Sequence, residues 1–415
     1  MRDLKIRFQI HDMLFYLLLV FSFYFTRNMI CRVMMVLFFG YTILRQLINR
    51  QKAKSSFYFA GFLIFILYGA ANIFLDNVIN VQVARTMVVS LVLNLMMIYA
   101  IVQYVYMQND VPKVIRTTEL GIFTTAFVVV LLSLGTITSG RLGGGTEINA
   151  NILAMLCVYG FILCMYLRKI GRITPLSCWV RMGFYALAVL LTGSRKGLVM
   201  IVLATVVVTL IFGKKKLVRN LLIGIASAVV VYLVIMNVEF LYNIIGVRIE
   251  NLLLYLTEGT TTDGSLASRL ELIEIAKPYI ERKPWTGYGY DCFKMISGIS
   301  GGGNITIDGV GYYSHNNYIE LLFSGGIIGL VLYYIPVLYL LIKLLRGIKT
   351  DTCIPYMLAL FVSKLAIEYA YVSYYDRIDA YIVAVILGSV LVCSKKPAIL
   401  FQRQWRNIGR ERKCN

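Results

Sequence analysis

His315 stands in the run Gly311-Tyr312-Tyr313-Ser314-His315-Asn316-Asn317-Tyr318-Ile319-Glu320. Two amides and a carboxylate therefore fall within about one helical turn of an imidazole. An imidazole titrates near neutrality, so His315 could take a proton from a hydroxyl; Glu320 could serve instead, or orient what binds there. A second candidate is Thr192-Gly193-Ser194-Arg195-Lys196-Gly197. An arginine beside glycines at a helix start can hold an oxyanion through guanidinium and backbone N–H groups, and it can equally be a snorkelling charge that fixes topology. The segment lacks the GxxxxGK[ST] spacing of a nucleotide phosphate loop. A third is the glycine-rich stretch from Gly140 and Arg141 to Asn149-Ala150-Asn151, whose asparagines either cap the next helix or contact a sugar.

The elements that position these groups are apolar. Hydrophobic residues make up 59% of the 415 and charged residues 15%, with a mean hydropathy of +0.74. Soluble domains average about 45–50% and 25%. This excludes a soluble enzyme, a disordered chain and a disulfide-stapled secreted module. It predicts an all-α polytopic membrane protein with twelve spans: 13–26, 30–44, 57–75, 86–107, 118–138, 149–167, 178–192, 198–212, 218–238, 318–342, 354–372 and 379–393. The net charge of +20 sorts by side: alternate loops hold 27 of the 41 basic residues and only six acidic ones. By the positive-inside rule that face and both termini are cytoplasmic. The excess is thus a topology signal rather than a nucleic-acid footprint, and the basic tail with Trp405 reads as a membrane-surface anchor.

The chain divides into spans 1–9 over residues 1–238, a 79-residue outer loop at 239–317, spans 10–12 over 318–393 and a basic tail at 394–415. Loops that long are usually functional or disordered. Here Ser268 and Glu271 have capping-box spacing, Leu266, Leu270, Ile273, Ala276 and Ile280 recur at helical spacing, and Lys283-Pro284 stops the helix. Phe240 to Leu256 is apolar on most faces and reads as interfacial. Cys292 is the single outer cysteine, and two histidines with no CxxC pair make a zinc site improbable. Lys364 and Glu368 are four apart in one span, spaced to pair as a structural unit or a proton-coupling site.

Outer TGSRKG, then SRLELIEIAKPYIERKPWTGYGYDCF, then SHNNYIELLFSGGIIGLVL resembles the O-antigen ligase and polymerase (Wzy–WaaL) superfamily of integral-membrane glycosyltransferases. The topology of the whole chain is similar, and the specific motifs lie between about 190 and 332. Asn149-Ala150-Asn151 is similar to the family's NPN-type segment, with alanine in place of proline. The resemblance implies a GT-C-like helical fold with the large loop capping the site. It implies metal-independent transfer, without a cofactor, of a glycan from a polyprenyl diphosphate to an acceptor hydroxyl on the outer face of the bacterial cytoplasmic membrane. It implies His315, Arg195 and Arg269 as catalytic, with the arginines gripping the diphosphate, and substrate contacts at Arg141, Asn149, Asn151, Trp285, Tyr313, Asn316, Asn317 and Glu320. Trp285, Tyr288, Tyr290, Tyr312 and Tyr313 suit sugar faces or pack the cap. The implied partners are lipid-linked oligosaccharide as donor and acceptor, membrane lipid, a flippase and a chain-length regulator, with no nucleic acid. Polymerisation of repeat units into surface polysaccharide is the leading reading and ligation to another acceptor the second. A 12-span flippase or transporter competes from another class, against which stand the missing internal repeat and the gathering of polar residues in one outer loop.

Overall fold

The computed structural model describes residues 9–25, 28–133, 135, 141–143, 148–212, 217–259, 264–300 and 311–394. The N-terminal cations, Gly144 to Glu147, Lys214 to Lys216, Gly301 to Gly303 and the basic tail from Lys395 with Trp405 lie outside the described residues. Among the described residues all regular structure is helical. The elements are α1 (Ile10–Tyr24), α2 (Met29–Ile48), α3 (Phe57–Phe74), α4 (Val81–Gln108), α5 (Val111–Ser133), α6 (Ala150–Lys169), α7 (Pro175–Leu191), α8 (Arg195–Phe212) and α9 (Leu217–Asn237). A short α10 (Glu239–Leu241) and a π-helical turn (Tyr242–Gly246) lead into α11 (Val247–Glu258) and α12 (Gly264–Arg282). There follow α13 (Phe293–Ser300), α14 (Asn317–Gly347), α15 (Cys353–Ala366) with a 3₁₀ turn (Ile367–Ala370), and α16 (Arg377–Cys393).

Each of the twelve apolar stretches falls on a helix. Among the described residues eight are long and apolar enough to cross a membrane, or nine if one bent pair counts as a span, while α1 and α7 are shorter apolar helices. One continuous core joins α1 to α8 with α14, α15 and α16. The outer faces of the helices expose Ile64, Leu67, Val180, Val202 and Leu210, as lipid-facing surfaces do. The ion pairs Lys113–Asp12 (2.6 Å) and Arg181–Glu119 each join residues that the charge pattern assigns to one face.

Three features depart from the sequence reading. First, α5 starts at Val111 rather than near 118, because the Asp110 carboxylate accepts the Lys113 N–H at 3.2 Å and Pro112 sits in the first turn, where its missing N–H costs nothing. Second, Ser268 caps nothing: it lies inside α12 and its hydroxyl donates to the Gly264 carbonyl at 2.7 Å. The helix does end at Arg282, ahead of Lys283-Pro284. The apolar stretch beginning at Phe240 turns by 97° from the helix before it.

Third, the span expected at 318–342 is not one straight helix. α14 is broken at Gly326 (φ 63°, ψ −166°), backbone that only glycine adopts readily. Its first half, 317–325, folds back beside 327–334. Asn317 Nδ2 donates to the Tyr334 hydroxyl at 3.1 Å, and the Tyr318 and Tyr334 rings stack with centroids 5.5 Å apart. In a straight helix those positions would be about 25 Å apart. The segment Pro284–Gly289 fills the break. Tyr288 N and Gly289 N each donate, at 2.9 Å, to the Phe323 and Ser324 carbonyls, while Ile327 N and Ile328 N donate to the Pro284 and Trp285 carbonyls at 2.8 and 3.3 Å. Tyr290 anchors this segment in the bundle, its hydroxyl on the Phe65 carbonyl at 2.9 Å and its ring against Gly69. A Cβ on Gly326 would lie 2.3 Å from the Trp285 carbonyl carbon and oxygen, whereas one on Gly329 would meet the Tyr68 ring at an ordinary 3.4 Å. Gly326→Ala should therefore destabilise the detergent-purified protein by about 3 kcal/mol or more in thermal unfolding, and Gly329→Ala by less than about 1 kcal/mol. Equal midpoints for the two variants would refute this account of the break.

Candidate functional site

The broken helix presents His315. Asn316 caps the first half of α14, its side-chain oxygen accepting from Tyr318 N (3.0 Å) and Ile319 N (3.2 Å). Ahead of it the chain turns through His315 at φ 56°, a left-handed conformation that histidine adopts only in a tight turn. Ser314 stabilises that turn: its hydroxyl donates to the Asn316 carbonyl at 2.8 Å. The Ser314 N–H donates to Glu320 Oε2 at 2.8 Å, and the other oxygen of this fully buried carboxylate has no hydrogen-bond partner among the described residues. The Tyr313 ring lies against the imidazole with centroids 4.1 Å apart.

The TGSRKG turn forms a second wall. Gly193 (φ 60°) lies so close to the π-helical turn that a Cβ would stand 2.6 Å from the Ile244 carbonyl oxygen. Arg141 Nε donates to the Thr192 carbonyl at 2.7 Å, and Asn151 Oδ1 accepts from Ser194 Oγ at 3.0 Å and from Arg141 Nη2 at 3.4 Å. The two outer motifs read separately in the sequence are thus one hydrogen-bonded unit. α8 begins at Arg195, so a helix N-terminus with its partial positive charge lies in this wall. Arg195 Nη1 donates to the Arg248 carbonyl at 3.0 Å, tying α8 to α11. Asn149 is exposed and caps α6 through Asn151 N at 2.8 Å.

Lys196 is the group that the sequence reading passed over. It donates to the Ala370 carbonyl and lies 5.6 Å from the centre of the Tyr371 ring. The charges of Arg269, Arg141 and Arg195 all act on it, so four cations from α8, α12 and the segment before α6 gather in one region. Two of them, Arg269 and Lys196, act on His315. Burial first, and then those two charges, hold the imidazole down at about 3, so it is neutral over the physiological range. The cations that act on His315 are thus Arg269 and Lys196. Lys196 was hidden because a lysine next to an arginine after a span reads as a topology signal; its role depends on Ala370, which is distant in sequence.

The aromatic candidates divide. Tyr288 stacks on Phe323 at 5.2 Å and Tyr290 is buried, so both pack the cap. Trp285 is 63% exposed and Tyr312 43% exposed, leaving both rings accessible. Asn317 faces inward, its oxygen accepting from Ser373 N (2.9 Å) and Tyr374 N (3.1 Å).

The apolar helical bundle defines an integral membrane protein, and the broken helix gives it a polar site with a histidine and nearby cations. Residues 181–334 match the family described as O-Antigen ligase, and this match supports the O-antigen ligase/polymerase superfamily. No curated protein matches the chain. The matched segment contains Arg195, Lys196, Arg269, His315 and the Gly326 break.

With two histidines in the chain, a ¹⁵N-histidine spectrum isolates His315 once His11 is assigned. We expect His315 to remain neutral down to about pH 4, and Lys196→Met to move its titration upward, because removing a nearby cation favours the imidazolium. Titration near the ordinary 6.5 in both proteins would contradict the electrostatic reading.

Proposed function

We propose that this protein transfers a glycan from a polyprenyl diphosphate to an acceptor hydroxyl on the outer face of the cytoplasmic membrane, and that its acceptor is another lipid-linked repeat unit. The family implies O-antigen processing and a lipid-linked glycan substrate. The observation that carries the rest is that Arg269 and Lys196 act on a neutral, half-buried His315, while Arg195 and Arg141 in turn act on Lys196. A sugar leaving as its glycosyl bond breaks leaves negative charge on the diphosphate, and guanidinium groups grip phosphate oxygens bidentately without losing their charge. Neutral His315 takes the proton of the acceptor hydroxyl as that oxygen attacks the anomeric carbon. Its basicity rises on donor binding, because burial first and then the cations hold the imidazole neutral, and the diphosphate offsets the cations. Arg141 and Asn151 support the turn carrying Arg195, and exposed Trp285 and Tyr312, with Tyr313 beside the imidazole, offer faces to sugar rings. Ligation to a different acceptor is the second reading, favoured by the description of the matched family.

The test uses purified protein in liposomes with lipid-linked repeat units and no added nucleotide. We expect a ladder of lipid-linked oligomers that His315→Ala reduces by about 10²–10⁴-fold, the scale of losing a general base. Near-normal ladders from that variant would move the base elsewhere. Silence with repeat units followed by product on adding other acceptors would establish ligation, and no product in either case would favour transport. Arg195→Lys should impair turnover if bidentate phosphate contact matters; full activity would favour the snorkelling account. The acid limb of kcat should lie at higher pH than that of kcat/KM, since only the former reports the donor-loaded site. Coincident limbs would remove the donor's part in tuning the base.

A further inference from the structure

The ion pair Lys364–Glu368 lies outside the matched segment, and its spacing alone suggests a device that lowers the cost of burying two charges. Its surroundings suggest more. Glu368 Oε2 accepts from the Tyr334 hydroxyl at 2.6 Å, and that same oxygen of Tyr334 accepts from Asn317 Nδ2 at 3.1 Å. Glu368 Oε1 accepts from Ser373 Oγ at 2.6 Å and from the Lys364 ammonium, which also donates to Ser373 Oγ at 3.1 Å. The Ser373 N–H then returns to Asn317 Oδ1 at 2.9 Å. Asn317, Tyr334, Glu368 and Ser373 thus form a closed ring in which every donor chain ends on one carboxylate. All four are largely or fully withdrawn from the surface.

We infer that Lys364 and Glu368 are positioning residues for the candidate site, holding the His315 turn in place through this ring. Asn317 is two residues from His315 and is the first residue of the folded-back half-helix, so fixing its side chain fixes the base of the turn. The same pair sets the second wall: Glu368 and Ala370 share the 3₁₀ turn Ile367–Ala370, and the Ala370 carbonyl is where the Lys196 ammonium docks. One buried carboxylate thereby registers the imidazole against a cation. Only an ionised glutamate can accept from both sides at once. Glutamine would present a donor to one of two donors, and a lone ionised glutamate would be costly without Lys364. The lysine therefore offsets the charge of the acceptor, and the acceptor holds the ring. This part of the account rests on the proposed glycosyl transfer only for its activity readout.

Two variants, one single and one double, probe the ring without leaving a bare buried charge. Tyr334→Phe removes the link between Asn317 and Glu368, and Lys364→Met with Glu368→Gln neutralises both charges together. In the liposome assay we expect each to lower kcat about tenfold or more while KM changes less than about twofold. The combined variant should fall no further than the worse of the two, because residues of one network are non-additive. Hydrogen exchange supplies a readout independent of chemistry: amides of 314–319 should lose protection in both variants, with thermal midpoints close to wild type. Losses that multiply, unchanged kcat, or unchanged protection in 314–319 would overturn the inference. If His315→Ala proves as active as wild type, the base assignment fails on its own, and the exchange result still decides whether the ring holds the turn.

Discussion

A helix broken inside an apolar bundle leaves backbone groups that water cannot reach, and their satisfaction is the constraint on which this structure rests. At Gly326 the bonds that would join Ile327 to Phe323 and Ile328 to Ser324 are absent. All four groups bond instead to the segment Pro284–Gly289, and the Tyr68 hydroxyl covers the Gly325 carbonyl at 2.9 Å. An unsatisfied backbone group in hydrocarbon costs several kcal/mol, so the break and the segment that fills it are interdependent. That dependence explains why the large loop is ordered where it meets the bundle. It also explains how a loop residue such as Arg269, on the helix ending just before Pro284, comes within electrostatic reach of His315.

The break has a chemical purpose as well as a cost. Non-helical backbone at membrane depth is tolerated where it is buried in protein or lines a polar cavity. Here it turns the chain back on itself and sets the capped N-terminus of a half-helix just after the one histidine among the site motifs. Cations brought from α8 and α12 would ordinarily repel one another, and a buried imidazole beside them stays neutral. The result is a site in which cations act on a neutral base. Such a site suits an anionic leaving group and a hydroxyl that must lose its proton, as the proposed reaction requires.

Much of this was legible in the sequence because it is written in local pattern. Helices follow from apolar runs, and each of the twelve runs falls on helical structure among the described residues, the one at 318–342 broken at Gly326. The stop at Lys283-Pro284 follows from proline sterics. The motif around His315 drew attention by its density of polar groups. Ser268 misled because capping-box spacing also occurs in helix interiors, where the hydroxyl can turn back on the preceding carbonyl. The Gly325-Gly326 pair was visible, yet glycine is common in membrane helices and does not announce a reversal.

Composition and periodicity determined that this protein is helical, embedded in a membrane and polar mainly in a few motifs, because burial of apolar surface and internal backbone bonding are properties of each segment by itself. The tertiary structure decided which polar residues meet. Lys196 reaches Ala370 across 174 positions, Asn317 reaches Ser373 across 56, and Asn151 reaches Ser194 across 43. Such meetings depend on where one broken helix folds back and which segment fills the gap, and no local propensity encodes that.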